Sequence, residues 1–388
     1  MKILMLIPSV LKRDITPAVE QDKHPRMDYY ALADALRQSR DYGSRIGQNE
    51  VALLDYGALE ADGGKNLPFL VRLARRVAGR DAALAMLGFL RSAEHDTVFT
   101  NGENIGIPLA LLLRTLRWRG RRRPGHVTIG HRLSTGKKRL FFRTLGVHRE
   151  MDGIFVYATI QENYGRDVLG IPPTKLKRIA FHADDKFYRP SLAERAENES
   201  IVSTAGLEGR DYPTLLTAAA RLPEVAFRMT GASPWSKRKN ETHGRTLPAN
   251  VAVRWYEYEE LRQLYAESDV VAVPLYETDF QAGITTILEA MAMGKTVVVT
   301  RTTGQTDVIT HGENGLLVPP NDPDAWEAAL RLLLANPEER ERLGGNARQW
   351  VEQHATLDQW ADVVAASLIN SCPDPQREAT PGLHPAAF

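Results

Sequence analysis

The chain opens on a near-continuous apolar run, residues 2–7, of the kind a parallel strand buried on both faces requires. Apolar positions then recur with helical period over 29–36 and return to a short strand run at 50–54. The pattern goes on to predict one or two basic amphipathic helices within 67–90, a strand at 97–100, a helix over 107–116, and strands at 127–129 and 153–157. Strand and helix alternate throughout, so the expected fold is α/β, built on a doubly wound parallel sheet.

A charged stretch containing Pro190, residues 184–198, reads as a linker, and a second series of strands starts behind it. Its strands are expected at 201–204, 226–230, 251–254, 270–274 and 296–300, with helices over 213–221, 258–266, 284–293 and 323–335. Two Rossmann-like units follow from this, 1–190 and 191–354. A terminal helix within 355–370 is expected to pack back on the first unit, and a proline-broken, mobile tail fills 371–388.

Composition agrees with that division. A length of 388 residues suits two domains better than one core, and 43% hydrophobic with 25% charged residues is ordinary for globular protein. The single cysteine, Cys372, excludes an intrachain disulfide framework and favours the cytoplasm. No run approaches the ~18 apolar residues of a membrane span, and residues 1–10 have no cleavage site, so they read as a first strand rather than a signal peptide.

The net charge of +1 excludes no class of partner, but its distribution is uneven. Cations crowd the first half at Arg72, Arg75, Arg76 and Arg80, over 114–123, and at Lys137, Lys138, Arg139 and Arg143. The 114–123 stripe, interleaved with Leu116 and Trp118, reads as a solvated helix end, with peripheral contact at the inner membrane surface as the alternative. No nucleic acid is expected as a partner.

Candidate chemistry concentrates in 279–300. There an apolar strand ends at Pro274, a glycine-bearing loop follows, and a helix opens near Ile284. Free backbone N–H groups at such a helix start face the crevice at the carboxyl ends of the strands and suit a phosphate. Glu289, one to two turns into the helix, is placed to accept hydrogen bonds from a ribose diol. Taken alone, the stretch is equally compatible with an ordinary αβ turn carrying a solvated glutamate.

The wider pattern resembles the retaining glycosyltransferases of family 4, which have the GT-B fold of two Rossmann-like domains facing across a cleft. The likeness is strongest over 201–343. Their hallmark is a pair of glutamates separated by seven residues and ending in Glu-Ala-Met-Ala, matched here by Glu289-Ala-Met-Ala, with Gln281 at the first glutamate's position. Residues 261–274 (a helix-then-strand entry), 304–309 (a glycine-rich turn, with Gly304 and Asp307), Gly312–Pro319 (the hairpin that follows) and Phe187–Pro190 (the end of an interdomain linker) are further points of likeness.

The resemblance implies transfer of a sugar from a UDP-, GDP- or ADP-sugar to a hydroxyl of a glycan, a lipid-linked precursor or a small metabolite, with retention and without a metal. It assigns His131, Gln281 and Gly283 to the reacting sugar. It assigns Arg210, Ala282, Gly283, Ile284, Thr285 and Glu289 to the donor, with Glu289 on the ribose, and Lys237, with Arg238 and Lys239, is a further candidate for the diphosphate, with a solvated charged loop as the alternative. Gln281 donates and accepts hydrogen bonds but is no carboxylate, and Leu207 stands where the family places an arginine. A catalytically impaired, nucleotide-sugar-binding scaffold is therefore the alternative, and a phosphorylase or epimerase on the same architecture a third. No Asp-x-Asp pair is placed for a metal, and Asp184 and Asp185 are expected at the surface of the linker. The double glycine that many relatives carry before the first helix is absent, with residues 22–28 in its place.

Overall fold

The computed structural model describes residues 1–372 apart from 13, 40–48, 121, 194–198 and 231–245. Among these, twelve strands form two six-stranded sheets. The first holds β1 (Lys2–Ile7), β2 (Glu50–Asp55), β3 (Thr97–Thr100), β4 (Gly125–Gly130), β5 (Gly153–Val156) and β6 (Leu176–Arg178). The second holds β7 (Ile201–Ala205), β8 (Ala226–Thr230), β9 (Val251–Val253), β10 (Val270–Val273), β11 (Thr296–Thr300) and β12 (Leu316–Val318). Every pairing is parallel, in the orders β2-β1-β3-β4-β5-β6 and β12-β11-β10-β7-β8-β9.

Because successive strand residues point to opposite faces, β1 feeds two cores. Ile3, Met5 and Ile7 pack under helix Asp28–Gln38, whereas Leu4 and Leu6 pack under helices Phe69–Arg91 and Glu103–Trp118. Phe69–Arg91 is one helix kinked at Gly79, whose φ of 87° takes it out of helical geometry. In each sheet the strand order reverses once, between β1 and β3 and between β7 and β10, and open α/β sheets bind ligands at the carboxyl ends of strands at such a reversal.

Several expectations are revised. The hairpin read at 312–319 is a tight turn leading into β12, which runs parallel to β11 as an edge strand, because Leu316 and Val318 complete the apolar face over Val298. Helix Pro337–His354 was not legible: it begins Pro-Glu-Glu-Arg-Glu-Arg, and docks through Leu343, Ala347 and Val351 and through Gly344, where a Cβ would lie 2.2 Å from Gly294 O. Asp184 is buried rather than at the surface, accepting from Arg26 N at 2.7 Å and from its guanidinium at 2.6 and 3.0 Å.

The chain passes between the sheets twice, side by side. Ala183 N donates to Ala355 O at 3.0 Å and Leu357 N to Ala183 O at 2.9 Å. Helix Leu357–Asn370 then buries Leu357, Trp360, Val364 and Leu368 against the first sheet and helix Asp28–Gln38. Thr356 and Gln359 cap its start reciprocally. Among the described residues no helix is long and apolar enough to cross a membrane.

Candidate active site

The reversal in the second sheet places two loops together. After β7 the chain turns through Gly206 and Gly209, at φ of 93° and 66°, and after β10 it reaches Gly283, at φ 77°. The left-handed conformation of Gly283 starts helix Ile284–Ala292, and a Cβ there would lie 2.8 Å from Val273 Cγ1 and 2.9 Å from Arg210 Nη1. Ile284, Ile287, Leu288 and Met291 anchor the helix in the core, each burial contributing ~1.5–3 kcal/mol, so its start is held fixed. The first-turn N–H groups of a helix lack intrahelical acceptors and carry the positive end of its dipole, which is a seat for phosphate. Thr285 is exposed and Ala282 and Ile284 are buried at that start.

Arg210 lies underneath. Its Nε donates to Ala205 O at 2.8 Å, Nη1 to Glu208 O at 3.0 Å and Nη2 to Thr286 Oγ1 at 3.0 Å, and the side chain is 4% exposed. The guanidinium therefore buttresses both glycine turns and adds positive charge behind them. Lys237, with Arg238 and Lys239, lies outside the described residues.

Glu289 sits one to two turns along the helix, partly buried, with Tyr265 Oη donating to Oε2 at 3.1 Å. Burial pushes its carboxyl up to about 7, against the hydroxyls of Tyr188 and Tyr265 and the Arg210 charge, which favour the carboxylate. Such a group holds its charge at neutral pH only marginally, and hydrogen bonds from a diol would favour that charge. Gln281 is also buried, and its Oε1 has no partner among the described residues. A buried amide oxygen left unbonded is a costly feature, and it marks the place where a ligand donor would be accepted.

The first domain meets this loop directly. His131 follows β4, and its neighbour Arg132 pairs with Asp279 at 2.9 Å and lies 4.8 Å over the Phe280 ring. Gln161 bridges the domains: its Oε1 accepts from Leu133 N at 2.6 Å, and its Nε2 donates to Asp279 O at 2.5 Å. Asp307 accepts from Thr159 N at 2.9 Å and from the Thr159 hydroxyl. The loops bearing His131 and Gln281 are thereby brought side by side. Crowding by protein lowers the His131 pKa, with Glu103 opposing, so the imidazole is neutral and both donates and accepts.

Sequence reasoning missed Glu103 and Gln161. Glu103 is 6% exposed and accepts from His131 N at 2.8 Å, from Arg132 N at 3.3 Å and from Lys138 Nζ, fixing the turn that carries His131. Both residues act through backbone partners about 30 positions distant, a relation no local motif encodes. Part of the basic stripe proves structural: Arg123 binds Asp152 through both Nη atoms at 2.7 Å, and Arg114 and Arg123 flank buried Glu150 at 3.6 and 3.8 Å.

Residues 184–350 match the family model described as "Glycosyl transferases group 1". This part of the chain is a group 1 glycosyltransferase domain. Curated relatives of the chain include the D-inositol 3-phosphate glycosyltransferase of Corynebacterium urealyticum, 35% identical over 130 residues, which are 33% of this chain and 29% of that one. The enzyme of the same name from Mycobacteroides abscessus is 28% identical over 191 residues, 47% of this chain and 41% of that one. The alignments thus span less than half of these relatives. The chain superposes on Anabaena HepE in complex with UDP-glucose, with a TM-score of 0.67 and 18% identity, over 96% of this chain and 100% of that one. The group 1 domain and its partner sheet form the two-domain GT-B architecture.

Proposed function

We propose that this protein transfers a sugar from a nucleoside-diphosphate sugar to an acceptor hydroxyl with retention at the anomeric carbon. The observation that carries the reading is the helix start at Gly283–Ile284, with Glu289 and the unbonded Gln281 amide oxygen beside it, meeting the His131 loop of the other domain through Arg132 and Asp279. Uridine diphosphate sugars are the first donors to test, since HepE was crystallised with UDP and with UDP-glucose.

In this reading the diphosphate rests on the helix start above Arg210 and the ribose diol bonds Glu289. The sugar C1–O bond breaks with its electron pair leaving on the phosphate oxygen, whose charge the helix dipole and Arg210 stabilise. The acceptor oxygen bonds to C1 on the same face and its proton passes to the departing phosphate oxygen. No protein carboxylic acid is needed. His131 and Gln281 hold sugar hydroxyls, and catalysis runs without a metal in the cytoplasm.

Gln281 favours a second reading, a nucleotide-sugar-binding protein with impaired turnover. Thermal-shift titration with UDP, GDP, ADP and their sugar conjugates tests the donor site, and donor hydrolysis without acceptor separates the two readings. Failure of every nucleotide to bind sinks both. Binding without hydrolysis, with turnover gained in Gln281→Glu, establishes the second.

A further inference from the structure

Helix Phe69–Arg91 carries apolar side chains where a solvent-facing helix has polar ones. Phe69, Leu70, Leu73 and Val77 are 67, 47, 45 and 77% exposed. At about 100° per residue they form one stripe covering roughly a third of the helix circumference. Buried Val71 and Arg75, whose Nη1 donates to Leu59 O at 3.0 Å, mark the opposite, core-facing side. Exposed Arg72 and Arg76 border the stripe along one edge. From Lys65 to Arg80 the chain has five cations and no aspartate or glutamate. Scattered exposed apolar residues are normal, but four within nine positions on one side of a helix are not.

A second segment repeats the combination. Leu140 and Leu145 are 55% and 40% exposed among exposed Lys137, Arg139 and Arg143, again with no acidic residue from 136 to 146. Both segments pack against helix Glu103–Trp118, the first through the cluster containing Ile105 and Leu109, the second through Phe142 on Ile107 and Ala110. They therefore flank one helix in one layer. Each also follows a strand, β2 or β4, whose carboxyl end lies at the edge where the cleft opens.

We propose that this face of the first domain docks on an anionic lipid bilayer, with the Phe69, Leu70, Leu73 and Val77 stripe entering the interface and Arg72 and Arg76 on the lipid headgroups. Charge selects the occupant. A second copy of the chain on a twofold axis would set Arg72 and Arg76 against themselves, whereas an anionic surface complements the exposed Arg72, Arg76, Lys137, Arg139 and Arg143 of the two segments. An apolar stripe bordered by arginines is the pattern of a helix lying in the membrane plane. Docking there would hold the cleft edge at the bilayer surface, where a lipid-linked acceptor is presented.

The test is flotation of the full chain with vesicles of phosphatidylcholine alone or mixed with phosphatidylglycerol. The expected result is flotation with the mixed vesicles only, weakened by salt. Leu73→Glu/Val77→Glu should lower binding by at least about tenfold, and Arg72→Gln/Arg76→Gln by roughly fivefold for each charge removed. These side chains are exposed, so the thermal midpoint and nucleotide binding of each variant should match the parent. Absence of flotation with mixed vesicles overturns the proposal, as does binding that neither variant pair weakens. Dimer-to-monomer conversion by Leu73→Glu/Val77→Glu, without loss of flotation, would assign the stripe to self-association and overturn it as well.

Discussion

Replacing Glu289 by glutamine should stabilise the ligand-free protein while removing its donor site. The Glu289 carboxyl is pushed from the ordinary 4.5 up to about 7, chiefly by burial, so its folded pKa lies above its unfolded one. A group raised in this way is neutral, and costs nothing, below the unfolded pKa. The penalty grows as pH rises from 4.5 and levels off once the folded pKa is passed. At 1.36 kcal/mol per unit the full penalty is about 3 kcal/mol, reached near pH 8, and it is under about 1 kcal/mol at pH 5. Glutamine keeps an acceptor for Tyr265 without carrying charge. In thermal unfolding scans Glu289→Gln should therefore exceed the parent by a margin that widens with pH, to as much as ~6–12 °C near pH 8, at ~2–4 °C per kcal/mol. Nucleotide affinity of the parent should rise with pH through about 7, because the carboxylate accepts from a diol more strongly than the neutral acid does, and that dependence should vanish in Glu289→Gln. A stability margin independent of pH between 5 and 8 would refute the account of the buried carboxyl.

Other perturbations probe the remaining parts. Gly283→Ala forces a Cβ to within 2.8 Å of Val273 and 2.9 Å of Arg210 at φ 77°, and should cost about 1–3 kcal/mol in urea unfolding and weaken nucleotide binding. Gln161→Ala removes the acceptor of Leu133 N and the donor to Asp279 O; about 1–3 kcal/mol of lost stability and a larger radius of gyration by small-angle scattering are expected. Glu103→Gln weakens the hold on Lys138 and on the His131 backbone, and turnover should fall more than donor affinity in steady-state kinetics.

The strands of both sheets were legible wherever burial on two faces demanded unbroken Val, Ile and Leu, as at Val270–Val273 and Thr296–Thr300. The edge strand Leu176–Arg178 was not, since a three-residue run with two exposed cations has no apolar period, whereas the equally short edge strand Val251–Val253 was read from its two valines. Helix Pro337–His354 hides its apolar side among charges, and its closest packing relies on a glycine, which periodicity does not register. In the candidate site, Gln281, Gly283 and Glu289 could be singled out together because one contiguous loop and helix supply them. The support from Glu103, Gln161 and Asp307 could not, because each acts on a partner brought near only by the fold. Arg210 was singled out by the resemblance alone, and its bonds to Ala205 O and Glu208 O make it a brace beneath the glycine turns, a geometry that an aligned position does not convey.

The docking of helix Leu357–Asn370 on the first sheet has a consequence for biosynthesis. The last strand of that sheet, Leu176–Arg178, leaves the ribosome about 190 residues before the helix that covers its neighbours, a delay of roughly 10–40 s at usual elongation rates. For that interval Tyr29, Phe155 and their surroundings have no lid, while the second domain, contiguous from 201 to 354, completes itself without waiting. The domain begun first is finished last, so a chain truncated between residue 354 and the terminal helix Leu357–Asn370 carries a whole second domain tethered to an unsealed first one.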